Sequence, residues 1–140
     1  MIGVVVVTHG QLATELVNAA EMIVGDLPQF VAVSIGWHED VADAREDIAQ
    51  AVDRVRGDAG VLILTDMFGG TPSNLGLTFL EKDRIEVITG VNLPMLIKLA
   101  GLRSSSDLLA VAREMREHGR NAIWVASDFL RGEKSEKGIG

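Results

Sequence analysis

Ile2-Gly3-Val4-Val5-Val6-Val7-Thr8-His9-Gly10 opens the chain with an almost unbroken β-branched run that stops at a short polar turn. A strand buried on both faces of a parallel sheet has no solvent side on which to place polar residues, so a continuous run of this kind is its sequence signature. The run is short, lacks a basic leader and is followed by Thr8-His9-Gly10, which argues for a strand rather than a signal peptide. Beyond it, Leu12, Leu16, Ala19, Ala20 and Ile23 recur at helical spacing, and Gly25 supplies a stop. A strand followed by a helix is thus the first unit.

The same alternation continues. Apolar stretches at residues 30–35, 61–65 and 85–89 read as strands, and residues 122–126 as a short last one. Asp40 opens a helix with a stripe of Ala44, Ile48, Ala51, Val52 and Val55. Thr71 reads as the N-cap of a helix reaching about residue 80, with Pro72 preset for its first position. A further helix follows Gly90-Val91-Asn92-Leu93-Pro94 and ends near Gly101; the next runs from Asp107 to His118, with Gly119 as its C-cap. Strands alternating with helices over short loops predict a single doubly wound α/β domain across residues 1–130 with a mostly parallel sheet. In the flavodoxin-like strand order 2-1-3-4, the order reverses between the first and third strands, and a crevice opens there at the carboxyl ends. The loops leaving those two strands carry His9 and Asp66. Residues 131–140 are charged and glycine-rich, and a flexible tail is expected.

Composition narrows the function classes. A chain of 140 residues suffices for one real core, and 47% apolar with 4% aromatic content fits α/β layers. There is no cysteine, which removes disulfides and thiolate metal sites and favours a cytoplasmic setting. The net charge of −7 disfavours nucleic acid and anionic membrane. No stretch approaches the roughly 20 apolar residues of a spanning helix.

His9 is a candidate nucleophile because a neutral imidazole keeps one ring lone pair free and histidine ordinarily titrates near about 6.5. A carboxylate on the other nitrogen fixes the tautomer and stabilises the cation formed when the free nitrogen takes up phosphorus; Asp66 is placed for that role. Phosphoryl transfer depends on positioning and charge stabilisation, which the backbone amides of Gly69, Gly70 and Thr71 can supply, aided by the helix starts near Thr71 and Gln11. Against this stand plain readings: a loop histidine in solvent, a turn-capping aspartate, a glycine bend. His38 borders the same end of the sheet or sits in solvent, and His118 is placed where a helix end favours a cation. A metal site from His9, His38 and Asp66 lacks zinc-motif spacing, and the Gly69-Gly70-Thr71-Pro72-Ser73 turn lacks the spacing and lysine of a nucleotide loop, so no metal and no cofactor are expected.

Val4-Val5-Val6-Val7-Thr8-His9-Gly10, Asp66-Met67-Phe68-Gly69-Gly70-Thr71-Pro72-Ser73-Asn74 and Gly90-Val91-Asn92-Leu93-Pro94-Met95-Leu96 resemble, in order and interval, three signatures of the mannose-family IIA domain of the phosphoenolpyruvate-dependent sugar phosphotransferase system. The resemblance implies a phosphotransferase component with a phosphohistidine intermediate: His9 takes a phosphoryl group from HPr and passes it to a IIB component for sugar uptake. It also implies that Asp66 partners the imidazole, that Thr71 offers hydroxyl and amide to the phosphate beside Gly69 and Gly70, and that Asn92 joins them. The family's habit of homodimers exchanging a last strand would involve residues 122–126. Any IIB component is expected to be separate or absent, with the membrane reached only indirectly through permease partners. The alternatives are a regulatory phosphoprotein switched at His9, the phosphoryl-donor subunit of dihydroxyacetone kinase, from which the central turn differs, and a passive ligand-binding module on the same fold.

Overall fold

A computed structural model describes residues 1–132. Its elements run β1 (Gly3–His9), α1 (Leu12–Val24), β2 (Phe30–Ile35), α2 (Val41–Val55), β3 (Val61–Thr65), α3 (Thr71–Leu77), β4 (Ile85–Thr89), α4 (Leu93–Ala100), α5 (Leu108–Asn121) and α6 (Ala126–Leu130). The four strands form one parallel sheet in the order β2-β1-β3-β4. The tail expected over residues 131–140 lies, from residue 133 on, outside the described residues.

The valine run explains why β1 lies inside the sheet. Val4 to Val7 have no solvent exposure, and their pleat divides them between two cores. Val4 and Val6, with Leu62 and Leu64 of β3, pack beneath α1, α4 and α5; Val5 and Val7, with Val61 and Ile63, pack beneath α2 and α3. Each buried valine contributes about 1.5–3 kcal/mol, and a one-residue slip would turn the whole set onto the wrong face. The register is therefore firmly held, with Val7 opposite Thr65.

Helix starts follow local chemistry. Asp40 accepts from Ala42 N–H at 2.7 Å, Asn92 from Met95 N–H at 3.1 Å, and Asp107 from Ala110 N–H at 3.1 Å, each side chain satisfying an amide the helix leaves unpaired. Thr71 is the first residue of α3 rather than its cap: Asn74 N–H donates to Gly70 O at 3.0 Å, so Gly70 takes the cap position. Past Leu77 the chain continues in tighter i→i+3 turns, as Phe79 N–H donates to Gly76 O and Leu80 N–H to Leu77 O.

Two further expectations are corrected. Gly119 lies inside α5, which continues to Asn121; a side chain there would come within 2.7 Å of Met95 Cε, so this glycine permits close approach of α4 and α5. Residues 122–126 form no strand in the single chain: Val125 is extended, but Ala126 begins α6. An extended segment becomes a strand only by pairing with another strand, and among the described residues it makes no such pairing.

Gly3 offers a direct check on how tightly β1 is packed. A Cβ added there would lie 2.1 Å from Val55 O and 2.7 Å from Val55 Cβ. Gly3→Ala is expected to lower the unfolding free energy by about 1–3 kcal/mol, read from urea denaturation; a change within experimental error would show that the end of α2 yields freely.

Candidate functional site

His9 is the last residue of β1, and Asp66 follows the last residue of β3. Because these strands are parallel neighbours in register, both side chains emerge at the same carboxyl-terminal edge, where the strand order reverses. His9 Nδ1 lies 2.8 Å from Asp66 Oδ2, and the backbone N–H of His9 donates to that same oxygen at 3.0 Å. Asp66 Oδ1 accepts from Met67 N–H at 3.0 Å. The carboxylate is thus held at both oxygens, and its side chain is only 13% exposed, against 53% for the imidazole.

Electrostatics assigns the ring proton. Burial works against ionisation of Asp66, but the hydrogen bonds from the ring and the backbone N–H of His9, with attraction to that ring, outweigh it and hold the carboxyl below its usual range. An ionised carboxylate only accepts hydrogen bonds, so Nδ1 carries the proton and a neutral His9 keeps its lone pair on Nε2.

Nε2 faces the glycine turn. Gly69 and Gly70 both have positive φ, at 89° and 84°, where glycine is favoured. A Cβ on Gly70 would stand 3.2 Å from both Nε2 and Cε1 of His9. Among the described residues, the N–H groups of Gly70 and Thr71 have no acceptor within the protein, and Thr71 is exposed. Gly69 departs from expectation: its N–H donates to Ser73 Oγ at 2.8 Å. The start of α1 is likewise partly engaged, since buried Thr8 accepts from Ala13 N–H through Oγ1 at 2.6 Å. Sequence reasoning assigned no role to Thr8 or Ser73, and a hydroxyl residue in a turn carries no signal that separates such tasks from solvation.

The Asn92 side chain has partners of its own within the protein. Its Oδ1 caps α4 and its Nδ2 donates to Gly119 O at 3.0 Å, so both ends of the amide tie α4 to α5. Its loop is pinned near β3 all the same, because Thr65 O accepts from Gly90 and Val91 N–H. His38 is exposed beside Trp37, in a turn closed by Glu39 Oε1 accepting from Gly36 N–H. His118 is half-buried in the last turn of α5.

Comparison with known proteins points to one family. The sequence model of the EIIA-man family, described as PTS system fructose IIA component, matches residues 3–116. The fructose-specific EIIA component of Bacillus subtilis is 30% identical over 96% of this chain and 93% of its own length. The mannose-specific EIIAB component of Escherichia coli is 32% identical over 87% of this chain, which spans only 39% of that longer protein. The crystal structure of a phosphotransferase EIIA from Streptococcus agalactiae superposes with a TM-score of 0.81 at 25% identity, covering 91% of this chain and 98% of that one.

The lowered Asp66 pKa has a signed consequence. On acidification the unfolded chain takes up this proton first, so ionised Asp66 contributes stability that is fully present above the unfolded carboxyl value of about 3.9 and is lost as pH falls through the lower folded value. Carboxyl-carbon NMR should place the Asp66 midpoint below the ordinary carboxyl range. An Asp66→Asn variant should lose part of the acid-range decline in stability. A midpoint at or above the ordinary value would contradict the assignment.

Proposed function

This chain belongs to the mannose-type IIA family of the sugar phosphotransferase system, and on that premise we propose that it is a phosphocarrier that accepts a phosphoryl group from HPr on His9 Nε2 and passes it to a IIB component. The observation that carries the reading is the 2.8 Å contact between His9 Nδ1 and a carboxylate held acceptor-only, which leaves Nε2 as the free nucleophile. In the transfer, the Nε2 lone pair forms the new N–P bond while the donor's bond to phosphorus breaks and its electrons return to the donor. The Nδ1 proton stays where it is, facing Asp66, and the positive charge gained by the ring is met by the carboxylate. Hand-over to IIB is the same displacement with His9 as leaving group. Gly70 and Thr71 offer amides to the phosphoryl oxygens, and Gly69 allows close approach.

Charge distribution supports a basic protein partner. The loops that leave the four strands, within residues 1–44, 57–81 and 85–97, contain no lysine or arginine, while Glu39, Asp40 and Asp43 lie in the connection from β2 to α2 and the first turn of α2; basic residues come to that end of the sheet only with the end of α5, at Arg116 and Arg120. Trp37 is 97% exposed and Phe68 75%, on the loops either side of His9. An apolar rim with acidic neighbours suits an apolar, basic docking face. We further infer a homodimer: β4 is an open edge of the sheet, and the extended, exposed segment with Ile123 and Val125 could add to the edge of a second copy.

Incubation with enzyme I, HPr and labelled phosphoenolpyruvate is expected to give an acid-labile, base-stable phosphohistidine that His9→Ala abolishes; no label in the presence of charged HPr would reject the carrier role. Hydrogen bonds to charged groups are worth about 1.5–3 kcal/mol, so Asp66→Asn should slow transfer roughly ten- to a hundredfold. Sedimentation should give twice the 15.0 kDa of one chain, and Val125→Asp should return the monomer; a wild-type monomer at micromolar concentration would contradict the dimer.

A further inference from the structure

We propose that Ser73 is a positioning residue for phosphoryl transfer at His9, an inference that rests on the phosphocarrier reading. Ser73 lies in the first turn of α3 and has no solvent exposure. A buried hydroxyl requires partners, and both of its partners belong to the glycine turn. Oγ accepts from Gly69 N–H at 2.8 Å and donates to Gly70 O at 3.5 Å. The first bond is a good one, and the second is at the outer limit of a useful contact.

Gly70 O is also held by Asn74 N–H at 3.0 Å, but Ser73 Oγ is the acceptor that holds Gly69 N–H. Gly69 and Gly70 both sit at positive φ, and glycine passes easily between positive and negative φ, so the backbone's own torsional preference does not hold the turn in one shape. Gly70 in turn lies against the reactive edge of the imidazole, 3.2 Å from Nε2 measured to the position a Cβ would take. A chain of contacts therefore runs from Ser73 Oγ through the Gly69-Gly70 backbone to His9 Nε2. The hydroxyl is buried and never meets the phosphoryl group. It decides which amides do: with Gly69 N–H turned to Ser73, those of Gly70 and Thr71 remain for the anion.

Removing the hydroxyl leaves Gly69 N–H without its acceptor and frees the turn to shift against the ring. Misplacement on the order of 1 Å costs about a hundredfold in rate, so a partial shift in Ser73→Ala is expected to lower kcat roughly tenfold. The KM for phospho-HPr should not change, because Ser73 is buried beneath the rim where a partner docks.

Wild type, Ser73→Ala, Ser73→Thr and Ser73→Cys are to be compared with two donors, phospho-HPr and the small molecule phosphoramidate, alongside NMR of the His9 ring in the unphosphorylated proteins and their melting temperatures. The proposal expects reduced kcat with both donors in Ser73→Ala, unchanged KM for phospho-HPr, shifted His9 Hε1 and Nε2 resonances, and recovery in whichever of the Thr and Cys variants retains the fold. Wild-type kcat and ring resonances in a folded Ser73→Ala would overturn it while leaving the carrier role intact; so would a rate loss that follows melting temperature across all three variants. A wild-type protein that takes label from neither donor would instead reject the carrier role, and this inference with it.

Discussion

One carboxylate oxygen, Asp66 Oδ2, receives both the ring and the backbone of His9, and the chemistry proposed for this chain depends on that double contact. The backbone bond fixes where β1 ends relative to β3, and the ring bond fixes which nitrogen carries the proton. Neither would exist without the sheet: the two residues are brought together by the parallel pairing that sets Val7 opposite Thr65. The cores on either side, built on the alternating valines of β1, make that register costly to change. Burial of apolar side chains thus positions a half-exposed imidazole.

The site proposed for the phosphoryl group draws no lysine or arginine from the loops that leave the four strands. Backbone amides at a glycine turn have fixed directions and need no reorganisation as charge develops, which suits a group that must be bound briefly and released. A lysine or arginine at the same place would hold the phosphoryl group more strongly and slow its onward transfer. A carrier gains from moderate affinity, and the arrangement of Gly70, Thr71 and the half-exposed imidazole is consistent with that demand.

Much of this was legible in the sequence because the strong signals are local. The valine run, the apolar strand at residues 61–65, the Asp40 cap and the glycine turn each announce themselves within a few residues, and strand order then brings His9 and Asp66 together. What stayed hidden depends on contacts between distant elements. Gly119 looked like a helix stop because only the packing of Met95 against it reveals a close approach. Asn92 looked available to phosphate until α5 was seen to accept its amide hydrogen bond. Residues 122–126 have strand composition, but a strand is a property of two segments, and the single chain supplies one. Thr8 and Ser73 use hydroxyls that no spacing rule distinguishes from solvated ones.

The most direct measurement is long-range nitrogen–proton NMR of the His9 imidazole in the unphosphorylated protein at neutral to mildly alkaline pH. Protonation at Nδ1 with a bare Nε2 is the expected result, and Asp66→Asn should weaken that preference. A ring protonated at Nε2 would place the lone pair on the nitrogen facing the carboxylate and contradict the proposed chemistry at its first step.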